Sequence, residues 1–286
     1  MDTGIILISL LALYFVILLG ITWFSRREQD YQGYVIGNRQ VGLWGIVTSV
    51  AANARDGTAM ALWISFAAMF GFGAMWLLIG LLLGFALIAI QAPKIRQEAG
   101  EQDYITIDDV LRYRVGPRLG QISALIISLA ALLYAAGNLY VAGTLTSSLF
   151  DISGRYGIVA VTLFVALYLA AGGYMNVIRT DLFQGFLIFL MALAVLFFYD
   201  IPPIGDIGQQ LTAFPSDMKL GFFVLVALFG YTAADQWQRL FSARSPQVAR
   251  YSFLVALPFY AIIMTGVIVF GMAMHERFAD IVPNEL

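Results

Sequence analysis

The sequence predicts an all-α protein, a polytopic membrane helix bundle, and three observations carry that prediction. Of its 286 residues, 60% are hydrophobic and only 12% are charged, against roughly 45–50% and 25% in soluble domains. Several uncharged runs exceed the ~20 residues that cross a bilayer core as a helix. The charges that remain fall mostly between those runs. A net charge of −2 argues against a nucleic-acid partner. Zero cysteines exclude disulfides, thiolate metal sites and thiol catalysis together. The single histidine, His275, leaves almost no material for a His-based metal cluster or a Ser-His-Asp triad, and it reads as an interfacial side chain at the end of a span. The first apolar run is too long for the core of a cleavable signal and lacks a basic leader.

Taken in order, the chain reads as one transmembrane domain, 1–286, with eight spans. The first covers about 4–24 and closes on Ser25-Arg26-Arg27. After the loop 31–41, the 49 residues from Leu43 to Gln91 hold two spans, about 43–69 and 74–91, with Phe70-Gly71-Phe72-Gly73 as the turn. The polar stretch 93–118 follows, with a short amphipathic helix over 105–113 whose N-cap is Thr106. A long, tiltable span covers 119–150 and a tight turn 151–157. Spans at 157–171 and 181–199 flank a break at Gly172-Gly173, which reads as a tight turn needing positive φ. A loop at 200–219 contains Pro and Gly. The seventh span, about 220–240, has only 15 uncharged residues from Leu220 before Asp235, so it carries Asp235 in or near the apolar layer, with no obvious local partner. The eighth span covers 251–275.

One stretch organises the rest: Thr48-Ser49-Val50-Ala51-Ala52-Asn53-Ala54-Arg55-Asp56-Gly57-Thr58-Ala59. It sets two adjacent opposite charges inside the second span. A charge near the bilayer centre costs at least ~2.5–3.5 kcal/mol, so it faces a cavity and has a partner. Neighbours on a regular helix point about 100° apart, so Arg55 and Asp56 do not easily share one side. A break in the helix resolves the conflict and frees main-chain carbonyls able to hold an ion. The plainer alternative has Arg55 snorkelling along a water-filled crevice while Asp56 neutralises it.

Loop cations set the orientation. Arg26, Arg27, Arg39, Lys94, Arg96, Arg112, Arg114, Arg118, Arg179, Arg239, Arg244 and Arg250 fall on one side, against Arg155, Lys219 and Arg277 on the other. The richer side is read as cytoplasmic, which places the N-terminus outside and the protein in the plasma (cytoplasmic) membrane.

Three segments resemble the sodium:solute symporter family. Tyr168-Leu169-Ala170-Ala171-Gly172-Gly173-Tyr174-Met175-Asn176-Val177-Ile178-Arg179-Thr180-Asp181-Leu182-Phe183-Gln184 looks like its signature of paired glycines, then Val, Thr-Asp and Gln. Gln238-Arg239 followed by Ser242-Ala243-Arg244-Ser245 is similar to its segment after the sixth core helix. Gly37-Asn38-Arg39, with Gly42, Trp44 and Ala51-Ala52-Asn53, is similar to its entry into the first core helix. The resemblance implies a LeuT-type inverted-repeat fold. The first span would be an extra leading helix, the next five the first repeat, and the last two the start of the second. The family continues through further core helices, so the chain is expected to be C-terminally incomplete relative to it.

The resemblance also implies a site. Main-chain carbonyls of Ala51 and Ala54 would bind Na⁺, a hard cation that takes oxygen ligands as other hard cations do. Asp181 would stand on the ion's inward path, although an acid favoured by a helix N-terminus reads equally well. Solute candidates are Asn53, Arg55, Asp56 and Thr58; Tyr134 and Asn138, which share a helical face with Val141 at i, i+4, i+7; and Thr232 and Trp237 with Tyr231, Asp235 and Gln236. Na⁺ is expected as the co-transported ion, with no organic cofactor and no enzymatic activity. The reading is a sodium-coupled symporter of a small polar or anionic solute, in contact with that solute and the lipid bilayer. The alternative is a symporter-like sensor or input domain of a signalling protein.

Overall fold

A computed structural model describes residues 3–25, 30–53, 56–198, 211 and 216–278. Among these the helices are α1 (Thr3–Ser25), α2 (Tyr31–Ile36), α3 (Leu43–Asn53), α4 (Gly57–Phe70), α5 (Met75–Glu101), α6 (Ile107–Val115), α7 (Pro117–Phe150), α8 (Gly154–Phe198), α9 (Ser216–Thr232), α10 (Ala234–Ser242) and α11 (Pro246–Phe278). The one β-type contact among the described residues is an isolated parallel bridge between Val41 and Ala243.

Six stretches are long and apolar enough to cross a membrane, and two of them, Gly57–Glu101 and Gly154–Phe198, are 45 residues long. At 1.5 Å per residue each would run ~68 Å if straight, more than twice the ~30 Å apolar layer. Each is instead folded in its middle. The first bends at Gly71–Ala74, a 3₁₀ turn that Gly71 enters at φ +53°. The second kinks at Gly173 (φ +59°, ψ −162°), and helix resumes at once. The turn expected to reach Asp181 is therefore confined to one residue. α5 likewise continues past Pro93 to Glu101, ten residues beyond the expected end of its span.

The kink has a local cause. The Gly173 conformation is one that essentially only glycine adopts, and a side chain on Gly172 would run into Asn176. Asn176 is fully buried, and its amide donates to the Tyr168 carbonyl across the kink and to Thr22 on α1, both at 3.1 Å. Two more polar contacts zip α1 along the same helix: Arg179 to Ser25 at 2.8 Å and Gln184 to Tyr14 at 2.6 Å. Gly173→Ala is expected to strain the backbone by about 1–3 kcal/mol and lower the melting temperature of the detergent-solubilised protein. Unchanged melting would show that the kink tolerates a side chain.

α6 begins as its sequence suggests, with Thr106 at the N-cap and Asp109 accepting from the Thr106 amide at 2.9 Å. α7 leaves Leu125, Leu132 and Leu133 about two-thirds exposed or more, as suits a helix facing lipid.

Candidate functional site

Two helical runs are interrupted, α3–α4 and α9–α10, and the site lies beside both interruptions. α3 ends at Asn53 and α4 starts at Gly57. Between them Asp56 is extended (φ −65°, ψ 170°) and caps α4 by accepting from the Ala59 amide at 3.0 Å. An acid suits this position because the first-turn amides lack helical partners and the dipole favours negative charge there. α9 ends at Thr232, Ala233 is non-helical (φ −58°, ψ 114°), and α10 restarts at Ala234.

α7 clamps the first break through the face it was expected to present. The Tyr134 hydroxyl donates to Asp56 Oδ2, and Asn138 Oδ1 accepts from the Thr58 amide at 3.1 Å. A Cβ on Gly57 would lie 3.0 Å from Val141. Tyr134, Asn138 and Val141 thus all meet the start of α4.

On one side of the breaks is a cavity of about 350 Å³, lined by residues of α4, α5, α7, α9, α10 and α11. The expected residues Thr58, Tyr134, Asp235 and Gln236 are in its wall. So are Trp63, Phe85, Phe229 and Tyr260, aromatic residues absent from the sequence-based candidates. Tyr231 is turned elsewhere: its hydroxyl donates to Gln91 on α5 at 3.1 Å, and its carbonyl accepts from the Trp237 indole at 2.7 Å. Asn53 ends α3, and Ala54 and Arg55 lie outside the described residues.

On the other side is a buried ionic network. Arg239, only 3% exposed, donates through Nε to Ser49 at 2.8 Å, through Nη1 to Asp235 Oδ2 at 3.1 Å and through Nη2 to Asp181 Oδ2 at 3.4 Å. The Ser49 hydroxyl donates to Asp181 Oδ2. Two expectations are corrected here. Asp235 does have a local partner, since Arg239 sits one turn on (i, i+4). Arg239 is not a loop cation but an interior one. Asp181 stands within α8, at its interface with α3. Four residues on, Gly185 meets the Thr48 carbonyl and Ala52, next to Ala51, which is buried in the last turn of α3. Among the described residues, no group of three or more His, Asp or Glu gathers as a metal centre.

Beyond the network the chain is closed by main-chain contacts. Val41 N donates to Ser242 O and Arg244 N to Val41 O, both at 3.0 Å. Arg96 Nε reaches Ala243 O at 2.6 Å, and Arg39 reaches Tyr104 O at 3.1 Å and Phe241 O at 3.4 Å. The segments 37–41 and 238–245, singled out separately in the sequence, are thus two halves of one seal.

Comparison with known proteins agrees with this geometry. The model of the sodium:solute symporter family matches residues 34–285. An osmoregulated proline transporter of Bacillus subtilis (strain 168) is 34% identical over 193 residues, which cover 64% of this chain and 38% of that protein. A sodium/proline symporter of Staphylococcus aureus (strain Newman) is 26% identical across 95% of this chain and 58% of its own length. A solved Na⁺-coupled sialic acid symporter, in a substrate-bound outward-open state, superposes with a TM-score of 0.80 at 19% identity, over 97% of this chain and 62% of that one. The chain spans less than two thirds of the length of each of these relatives, between 38% and 62%. They are transporters, not enzymes.

Proposed function

Since the chain belongs to the sodium:solute symporter family and has the LeuT-type all-helical fold of an integral multi-pass membrane protein, we propose that it works in a sodium-coupled symporter that moves a small polar solute by alternating access. The observation that carries this is the meeting of two broken helices between a cavity on one side and a main-chain seal on the other. Alternating access needs this asymmetry: a central site open toward one face while the opposite face is shut.

In this reading the chain is a single membrane domain of eight crossings, each 45-residue stretch supplying two. Its seal, with Arg39, Arg96 and Arg244, faces the cytoplasm, as the loop cations suggest. The N-terminus is outside, and the membrane is the plasma (cytoplasmic) membrane. Main-chain carbonyls of Ala51 and Ala54 hold Na⁺, the co-transported ion, with Asp181 on its way inward. The end of α3 supports this role, because a helix C-terminus leaves carbonyls without intrahelical partners and carries partial negative charge. Thr58, Tyr134, Asp235 and Gln236 contact the solute in the cavity. Asp56 and Asn138 hold the break in shape, Tyr231 braces α9 against α5, and Asn53 and Arg55 are further solute contacts. An anionic solute depends on Arg55; the described wall offers carboxylate and amide oxygens instead.

The test is uptake or binding by the protein in proteoliposomes under an inward Na⁺ gradient. Accumulation is expected to require Na⁺ and to collapse when K⁺ replaces it. Accumulation that is equal in K⁺ would reject sodium coupling.

A further inference from the structure

The cavity wall also carries information about the solute's chemistry. Resting on the proposed transport role, we infer that the solute carries a protonated primary or secondary amine, held by Asp235 and Gln236 at the start of α10, with its apolar body among the aromatic residues.

Acceptors outnumber free donors in the wall, where the Thr58 hydroxyl is able to do both. Gln236 is 2% exposed, and its Nε2 donates to Asp235 Oδ2 at 2.8 Å, which fixes the orientation of the amide. Its Oε1 is left buried with no donor. A buried acceptor without a partner keeps its desolvation cost uncompensated, so a ligand that supplies an N–H relieves a standing penalty. An ionised Asp235 can only accept, having no hydrogen to donate, and its side chain is 38% exposed in the same wall. The Tyr134 hydroxyl directs its hydrogen bond to Asp56 and therefore offers the cavity an acceptor oxygen. Thr58 Oγ1 is a second buried atom with no partner; it lies beside Gly137 on α7.

Charge points the same way. Asp56, Asp181 and Asp235 lie at or beside the two breaks, against Arg55 and Arg239 in the sequence: three acids and two bases, a formal excess of one negative charge. Arg239 is committed to Ser49, Asp181 and Asp235. Aromatic faces attract cations, and Trp63, Phe85, Phe229 and Tyr260 all line the space. A quaternary ammonium would meet the charge and the rings but bring no N–H for Gln236. A carboxylate would meet like charge, and a sugar would bring acceptors as well as donors. A protonated amine on a compact apolar body satisfies all three features, and about 350 Å³ is within the usual range for a small-molecule site.

The test uses the full chain in detergent at pH 7 in NaCl, with two pairs of probes that share a body. One pair is L-proline methyl ester, which keeps the ammonium, and N-acetyl-L-proline, which keeps the carboxylate. The other is cyclohexylmethylamine and cyclohexanecarboxylate. Tryptophan fluorescence reports binding, since Trp63 is in the wall and Trp237 follows Gln236. In at least one pair the amine is expected to bind about tenfold tighter than its acid, and Gln236→Met and Asp235→Asn are each expected to weaken it about tenfold. Acids that bind as well as the amines, amines that fail to bind, or amine affinity unchanged in both variants would overturn the inference. Repeating the titrations in KCl separates amine recognition from sodium coupling. Amine binding that ignores Na⁺ keeps this inference and removes sodium coupling; Na⁺-strengthened binding of the acids alone does the reverse.

Discussion

Arg239→Met is expected to be the most damaging single change in the described structure. Methionine keeps most of the side-chain volume but removes the one cation that reaches Ser49, Asp181 and Asp235 together. Asp181 is then buried against α3 with no guanidinium beside it. Breaking a buried ion pair by removing one partner costs about 3–5 kcal/mol, a large share of the ~5–15 kcal/mol that holds a protein folded. The variant should melt far below the parent or fail to accumulate in the membrane. Arg239→Lys should recover only part of the loss, because one ammonium cannot reproduce a planar fork that addresses three acceptors. Adding Asp181→Asn and Asp235→Asn to Arg239→Met should restore more, since it removes the stranded charges. A single variant that melts with the parent would mean that the network contributes nothing to holding α3, α8 and α10 together.

The role of Arg239 also shows where sequence reading reached its limit. It lies three residues before the end of α10 and a few more from Arg244, so by position alone it counts with the loop cations. Only the shared geometry of α3, α8 and α10 turns it inward. The break at Asp56 was legible because a charge pair in an apolar run has no comfortable place on a continuous helix. The α7 face of Tyr134, Asn138 and Val141 was legible because polar residues at helical spacing stand out against leucine. Trp63, Phe85 and Tyr260 gave no such contrast. In a soluble protein an apolar stripe marks the core; in a membrane the lipid-facing and core-facing sides are both apolar, so periodicity does not separate them. Spacing did hint at one further seam. Gly80 and Gly84, four apart in an apolar run, form a small-xxx-small pair of the kind that lets helix backbones approach closely, yet they were not among the candidate residues.

That seam carries the second large effect. α5 and α9 run parallel, backbone against backbone. A Cβ on Gly80 would lie 2.6 Å from the Phe223 carbonyl oxygen, and one on Gly84 would lie 2.5 Å from the Ala227 carbonyl oxygen and 3.0 Å from both Gly230 Cα and Tyr231 N. These are main-chain atoms, which cannot swing aside as a side chain would. Gly84→Leu therefore has to push α9 bodily away from α5. Overpacking a tight interior typically costs about 1–3 kcal/mol and sometimes more, and here the displaced helix leads directly into Ala233, Asp235 and Gln236. Leu81 and Phe85 on one side and Leu225 and Phe229 on the other line the same cavity, so its shape changes with the spacing. Gly84→Leu is expected to lower the melting temperature and to abolish probe binding in the cavity, with Gly84→Ala intermediate. Gly20→Leu on α1, where nothing stands within 4 Å, should leave both unchanged. If Gly84→Leu melts and binds like Gly20→Leu, α9 is free to move relative to α5, and the cavity wall is not held by this contact.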